Sequence, residues 1–421
     1  MAGADSGSGS AGSVPVRSGR GVSVSRWCRR RVLGRLAALD GGELVIRDAD
    51  GEHRVGRRTG LVAEIDVHDL HFWRMMATGG SVGAGEAYMA ELWDTPDLVV
   101  AIRVLAASRD ALADMEKGAA RLYAGLLKVA HRMNRNSLAG SRRNIAAHYD
   151  LGNDFFAEWL DARMQYSSGI FASPDDTLEQ AQEAKLARIA ERLALAPDDH
   201  LLEIGTGWGG LAIYMARTTG CRVTTTTISK EQHAHAVQAV ADAGLQDRVE
   251  VLRKDYRDLD GSYDKLVSVE MIEAVGADYL DTYLDTIQAR LKPDGLALVQ
   301  AITIEDFRYA DALKSVDFIK RYVFPGSFIP SVSAITASMA RATDLGLIEL
   351  FDFGDSYART LRAWRERFEA AWARIAPMGF DETFRRRWRF YLAYCEGGFM
   401  ERAISDVHLL LARPGYRKHG A

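Results

Sequence analysis

The chain has 421 residues, 26% of them charged and 48% apolar, with a formal net charge of −4. That is room for one large domain and a smaller one with an ordinary globular composition, and the slight acidity argues against a whole-chain nucleic-acid binder. No uncharged apolar run reaches the roughly 20 residues of a membrane span, the start lacks a secretory h-region, and Cys28, Cys221 and Cys395 are too scattered for a disulfide framework or a metal pair. The expectation is a cytoplasmic protein without a metal.

Residues 1 to about 25 are rich in Gly, Ser and Ala, lack apolar periodicity and are expected to be disordered. The basic run Arg26-Trp27-Cys28-Arg29-Arg30-Arg31 reads either as a solvated helix start or as a segment lying on anionic lipid. Leu44-Val45-Ile46 before Asp48-Ala49-Asp50-Gly51 predicts a hairpin, and helical spacing covers Leu70–Met76, Gly85–Trp93 and Asp97–Ala107. Residues 26–130 are therefore expected to form a small α+β domain. The basic segment 131–144, with Asn134-Arg135-Asn136-Ser137, reads as a linker, with headgroup contact as the alternative.

A larger domain is expected over 145–421. His148–Phe156 leads into a helix, Met164–Gly169 is a loop, and Leu178–Leu195 is helical. From residue 200 strands and helices alternate: strands over 201–204, 221–227, 248–252, 265–270 and 295–302, with helices over 208–217, 230–243 and 278–291. An aromatic-rich insert at 303–345 interrupts them. Strand 347–353, helices 360–375 and 381–403 and strand 407–412 complete the chain. This pattern predicts an α/β fold, Rossmann-like, with a mostly parallel, doubly wound sheet that binds its ligand at the carboxyl ends of the strands.

The ligand is read from Leu202-Glu203-Ile204-Gly205-Thr206-Gly207-Trp208-Gly209. A buried strand stops at three alternating glycines and a helix starts at once, so the backbone can pass close to a ligand facing the helix N-terminus. A phosphate gains nothing from Glu203, whereas a cation does. S-adenosylmethionine (SAM) carries a sulfonium and an ammonium and no phosphate. A dinucleotide site would also want an acid at the tip of the second strand, which reads Thr224-Thr225-Thr226-Thr227. Thr227 and Gln232 are left for the ribose and methionine parts, and Asp255 and Tyr256 for adenine. The bland alternatives are an ordinary β-branched strand and a helix cap.

These residues carry a resemblance. His148-Tyr149-Asp150-Leu151, Tyr166-Ser167-Ser168, the glycine turn, Thr227-Ile228-Ser229-Lys230-Glu231-Gln232, Asp255-Tyr256-Arg257-Asp258, Val267–Glu273, Tyr322-Val323-Phe324-Pro325 and Ala363–Phe368 resemble the cyclopropane-fatty-acid synthase family. The resemblance covers nearly everything from 145 onward, and the N-terminal part looks like the smaller domain of the phospholipid-acting members. It implies a class I SAM-methyltransferase fold, with Tyr166, Ser167 and Ile228 joining Glu203, Gly205, Gly207, Gly209, Thr227, Gln232, Asp255 and Tyr256 as cofactor-binding residues. It also implies methyl transfer to the cis double bond of phospholipid acyl chains, giving a cyclopropane, with a bound bicarbonate as base. By the family's pattern Glu273 and Tyr357 hold that anion, with main chain at Ile302.

Two positions depart from the pattern: Ser168 stands for a frequent cysteine and Gln300 for a histidine. Both can still bond an anion, but neither can share its proton. They resemble the subgroup with Val267-Ser268-Val269-Glu270-Met271-Ile272-Glu273-Ala274-Val275-Gly276 and Gln300-Ala301-Ile302-Thr303, some of whose members stop at a methylene-branched chain. Tyr166, Tyr322, Phe324 and Tyr357 are candidates to face a carbocation, at least one of them being core packing alone. The family reading further implies peripheral association with the inner face of the membrane and allows a homodimer. A nicotinamide-dependent oxidoreductase and a catalytically altered lipid-binding relative are the readings from other classes.

Overall fold

The protein is described here from a computed structural model covering residues 19–57, 60–108 and 151–417. The expected linker at 131–144 and His148–Asp150 lie outside the described residues.

In the N-terminal part the hairpin forms as expected, with β1 (Gly42–Asp48) antiparallel to β2 (Gly51–Gly56). A further strand, β3 (Leu61–Val67), runs parallel to β1, and β4 (Trp93–Asp94) completes the order β2-β1-β3-β4. The two predicted helices at 70–76 and 85–93 are one helix, His71–Met89, broken at Gly80, whose φ of 55° and ψ of −133° are not helical. Helix Leu98–Ala107 is capped by Asp97, which accepts the Val100 N–H.

Helix Gly19–Leu36 takes in residues 19–25, which were expected in the disordered tail. Two of its arginines turn to the hairpin: Arg26 pairs with Asp50, and Arg29 with both Asp48 and Asp50. Trp27 stays 51% exposed, with the Arg31 guanidinium 5.0 Å from its ring centroid.

The catalytic sheet has seven strands: β5 (His200–Ile204), β6 (Arg222–Thr226), β7 (Val249–Leu252), β8 (Tyr263–Val269), β9 (Leu291–Ile304), β10 (Gly346–Asp352) and β11 (Ile404–Ala412). They lie in the order β10-β11-β9-β8-β5-β6-β7, with β5 to β9 parallel, β11 antiparallel to β9 and β10 antiparallel to β11. Helices cover both faces, so the aliphatic residues of β5 are buried on either side: Leu201 packs with Leu186 and Leu211 on one side, Leu202 and Ile204 with Tyr283 and Leu284 on the other. The strand order reverses between β5 and β8, which opens a crevice at their carboxyl ends.

Helix Gly354–Ile375 begins six residues before its expected start, because Gly354 lets the backbone lie against Ser405. This helix and Glu382–Met400 form a layer that joins the N-terminal part in one aromatic core containing Trp73, Tyr88, Trp159, Trp364, Phe368 and Trp388. Arg386 pins the two parts together: Nε donates to the Tyr88 carbonyl (2.6 Å), Nη2 donates to the Trp93 carbonyl (3.0 Å), and the guanidinium pairs with Asp94. Tyr322 crosses the same boundary, its hydroxyl donating to Glu86 at 2.7 Å.

Arg386→Ala strips two buried carbonyls of a charged donor, and hydrogen bonds to charged groups are each worth about 1.5–3 kcal/mol. The unfolding free energy is expected to fall by about 3 kcal/mol, read by urea denaturation; an unchanged midpoint would mean that the aromatic core alone joins the parts.

Candidate active site

A cavity of about 670 Å³ opens at the carboxyl ends of β5 and β8. Gly205 (φ 107°) and Gly207 (φ 52°) turn the chain there through left-handed backbone that side chains disfavour. The Trp208 indole N–H donates to Asn153 Oδ1 at 2.8 Å and fixes the turn from behind. Of the expected cofactor residues, Tyr166, Ser167, Glu203, Gly205, Gly207, Thr227, Ile228, Gln232, Asp255 and Tyr256 line this cavity. Gly209 does not: it caps helix Gly210–Thr219, and a Cβ there would stand 3.2 Å from Ala236 Cβ, so it serves helix packing.

Glu203 is 3% exposed, and its Oε2 has no hydrogen-bond partner among the described residues. Burial pushes its carboxyl up to about 8, against a hydrogen bond from Thr225 and the charge of Lys185. A cationic ligand in the cavity would restore the lost ionisation, so the residue fits SAM. The Thr227 hydroxyl donates to Gln232 Oε1 at 2.9 Å. Asp255 also acts as the cap foreseen as its bland alternative: it accepts from the Arg257 main chain (3.0 Å) and guanidinium (2.8 Å) while keeping its place in the cavity wall.

The expected catalytic residues come together around a residue to which the sequence assigned no role. Glu270 follows β8 and faces the cavity. Its Oε2 accepts the Tyr357 hydroxyl at 2.6 Å; its Oε1 accepts the Ser168 main-chain N–H and the Gln300 side-chain amide, each at 2.8 Å. Ser168 and Gln300 are fully buried behind the cavity wall and do not line it. The Ser168 hydroxyl, expected to bond an anion, instead donates to the Gly169 carbonyl at 2.9 Å. Glu273 does line the cavity; its Oε1 accepts the Ile302 N–H at 2.6 Å and its Oε2 has no partner among the described residues. Burial, then the neighbouring charge of Glu270, pushes Glu273 up to about 8.

More groups stand behind Glu270. The Gln300 amide also donates to Asp406 Oδ2 at 2.8 Å, and Gln300 Oε1 lies 3.1 Å from His408 Nε2. Burial drives His408 down to about 3, so the ring is neutral and its Nε2–H donates to Gln300, which fixes the amide with its NH2 toward the acids. Asp406 is raised well above the carboxylate range by burial, then by the charges of Glu270 and Glu273. Lys185, wholly buried, donates to Ser167 Oγ at 2.6 Å and is brought down to about 8 by burial, opposed by Glu270 and other acids.

Beyond these acids the cavity becomes aromatic. Tyr166, Phe324 and Tyr357 line it as expected, with Phe390, Tyr391, Tyr394 and Phe399 added; Tyr322 lies outside it, in the contact with Glu86. The Tyr166 and Tyr391 hydroxyls are 2.9 Å apart. Ser81, Ala84, Ile102 and Leu105 of the N-terminal part also line it.

Fold and site together define a class I SAM-dependent methyltransferase: a doubly wound sheet, a glycine turn after its central strand, an unpaired acid beside that turn and an apolar chamber leading from it. Residues 136–409 match the family model described as mycolic acid cyclopropane synthetase, and the chain belongs to that family. It is 39% identical over 349 residues to the tuberculostearic acid methyltransferase UfaA1 of Mycobacterium tuberculosis, covering 81% of each chain. It is 36% identical over 353 residues to the cyclopropane-fatty-acyl-phospholipid synthase of Escherichia coli, covering 83% of this chain and 88% of that one. Among solved structures, mycolic acid cyclopropane synthase CmaA1 complexed with SAH and CTAB aligns with a TM-score of 0.60 at 28% identity, over 64% of this chain and 98% of that one.

Glu203→Gln isolates the charge beside the glycine turn. Because a cation binds the ionised carboxylate and the carboxyl of the wild type titrates near 8, the wild-type-to-variant ratio of SAM affinities is expected to rise up to tenfold per pH unit below about 8 and to level above it. Calorimetry of both proteins between pH 6 and 9 reads this ratio, in which the titration of SAM itself cancels. A flat ratio would remove Glu203 from the binding of positive charge.

Proposed function

We propose that the protein transfers the methyl group of SAM to the cis double bond of an unsaturated acyl chain in a phospholipid, ending in a methylene-branched chain. The observation that carries the reaction is one continuous cavity that runs from the unpaired Glu203 carboxylate, past Glu270 and Glu273, into an aromatic chamber.

Bound beside Glu203, SAM supplies an electrophilic methyl that alkene π electrons can take, leaving a carbocation on the acyl chain. The chain's own residues have three tasks. Tyr166, Tyr391 and Phe399 present ring faces or edges to that chamber, and aromatic faces stabilise a cation through their quadrupole. The apolar walls exclude water, which would otherwise add to the cation. A carboxylate at the junction of the two ends takes a proton from the newly attached carbon.

Both candidate products lose that proton. If the carbon closes directly onto the cationic centre, a ring forms. If a hydride first shifts from the methylated carbon to the cationic one, the same loss gives a C=CH2 branch on an open chain. The sequence by itself favoured the ring. The methylene branch is supported by the departures at Ser168 and Gln300, which resemble the branching subgroup and both bond Glu270, and by the relative named for tuberculostearic acid. The ring remains the second reading, carried by the Escherichia coli relative.

Lipid mass spectrometry of cells expressing the protein is expected to show acyl chains heavier by one CH2, with fragmentation placing a methylene branch at the former double bond. A ring would select the second reading. No mass gain, with no SAH released by purified protein from SAM and cis-unsaturated phospholipid, would leave a lipid-binding relative without this chemistry.

The protein is also proposed to reach its lipid as a peripheral protein at the inner membrane face. No helix among the described residues is long and apolar enough to cross a membrane. Phe307 is 71% exposed and lines the cavity, while Trp27 and its neighbouring arginines form a second contact. If the basic helix dominates, binding to anionic vesicles is expected to weaken between low and high salt, read by co-sedimentation; salt-independent binding would point to apolar insertion at Phe307.

A further inference from the structure

We infer that Glu270 is the proton acceptor of the reaction, its carboxylate taking the place where the family resemblance would put bicarbonate. The inference rests on the methyltransferase reading above and adds to it the identity of the base.

The residues present do not fit an added anion. Of the donors expected to hold bicarbonate, those of Tyr357, Gln300 and Ile302 are bonded to carboxylates of the chain itself, and the Ser168 hydroxyl is bonded to the Gly169 carbonyl. The Tyr357 hydroxyl, the Ser168 N–H and the Gln300 amide converge on Glu270, and the Ile302 N–H goes to Glu273. A bicarbonate placed there would find its donors occupied and would face two acidic side chains, an arrangement that disfavours negative charge.

The backbone gives a separate observation. Glu270 has a φ of 46°, in the left-handed region, where a residue other than glycine is strained by about 1–2 kcal/mol. Such outliers gather at functional sites and persist only where the surroundings hold them. Here what holds the residue is its side chain, gripped from three elements and pointed at the cavity.

The acids around it divide the work. Asp406 is raised well above its ordinary range and keeps its proton; Glu273, with one donor and one unpartnered oxygen, titrates near 8 and is largely protonated at neutral pH. Burial raises Glu270 too, but hydrogen bonds from Tyr357 and Ser168 and the charge of Lys185 oppose it. Three donors against one make Glu270, of the two acids of the cluster that line the cavity, the one fitted to carry the negative charge. In the step itself, after the hydride shift, a C–H bond of the transferred carbon breaks, its electron pair becomes the π bond of the C=CH2 branch (in the ring reading, with no shift, the closing carbon–carbon bond), and the proton moves to the Glu270 carboxylate. Water takes that proton once product leaves.

The test uses purified protein, SAM and vesicles of cis-unsaturated phospholipid, with SAH and methylated lipid both measured. The wild type is expected to run at the same rate in buffer stripped of carbon dioxide as with bicarbonate added. Glu270→Gly relieves the left-handed strain and frees the three donors. Its rate is expected to fall by roughly 100-fold or more, to recover on adding bicarbonate, and its SAM affinity by calorimetry to stay within about twofold of the wild type, as expected for a residue that serves proton transfer alone. Glu270→Gln keeps the shape of the side chain and fills the seat, so it is expected to lose the same activity without rescue, with an unchanged melting temperature. A wild type that slows when bicarbonate is removed, or a Gln variant at the wild-type rate, would overturn the assignment. These two measurements decide it even if the Gly variant does not fold. A wild type that releases no SAH under any condition would fail the methyltransferase reading itself, and this inference with it.

Discussion

Negative charge held out of water at the ends of two adjoining parallel strands is the constraint around which the catalytic domain is built. Glu203 lies at the end of β5 and Glu270 just past β8, on either side of the point where strand order reverses. Burying a lone carboxylate costs several kcal/mol, and the two positions meet that cost differently. Burial raises Glu270 as well, but three donors and the nearby charge of Lys185 offset that cost without a ligand. Glu203 keeps one oxygen unpartnered among the described residues and is pushed toward its neutral form. One acid therefore waits for a cation from outside, and the other is complete as it stands.

Between them the geometry separates two kinds of chemistry. On the β5–β7 side lie polar groups suited to a nucleoside and an amino acid: Thr227, Gln232 and Asp255. On the other side the wall turns aromatic, with Tyr166, Tyr391 and Phe399 around a space that hydrocarbon can fill. The Gln300 amide links this second side to the sheet, since its orientation is set by neutral His408 on β11 and its NH2 reaches both Glu270 and Asp406. A single side chain thus transmits the register of the antiparallel edge, β9 against β11, to the carboxylate at the reaction centre.

The sheet was legible in the sequence because its signals are local: apolar runs, glycine stops and helical spacing between them. Glu203 was legible for the same reason, standing two residues before the glycine turn. Strand β3 was missed although its burial alternates along Leu61–Val67, and no turn signal announced its parallel pairing with β1. Glu270 stood inside a recognised string yet carried no assigned role, because its meaning lies in partners 30, 87 and 102 residues away. Ser168 and Gln300 stood out as departures from the family's pattern. Their place was not readable, since sequence cannot tell a residue that faces a ligand from one that faces the residue that does. Gly209 failed the other way, its motif position suggesting ligand contact where packing on Ala236 decides.

The matched family span begins at residue 136, yet Ser81, Ala84, Ile102 and Leu105 lie in the cavity wall. The wall is thus a composite, in which small and aliphatic side chains from outside the matched span join those of the methyltransferase domain. An exchange of N-terminal parts between relatives would change the lining of the cavity while leaving the glycine turn and its acids in place.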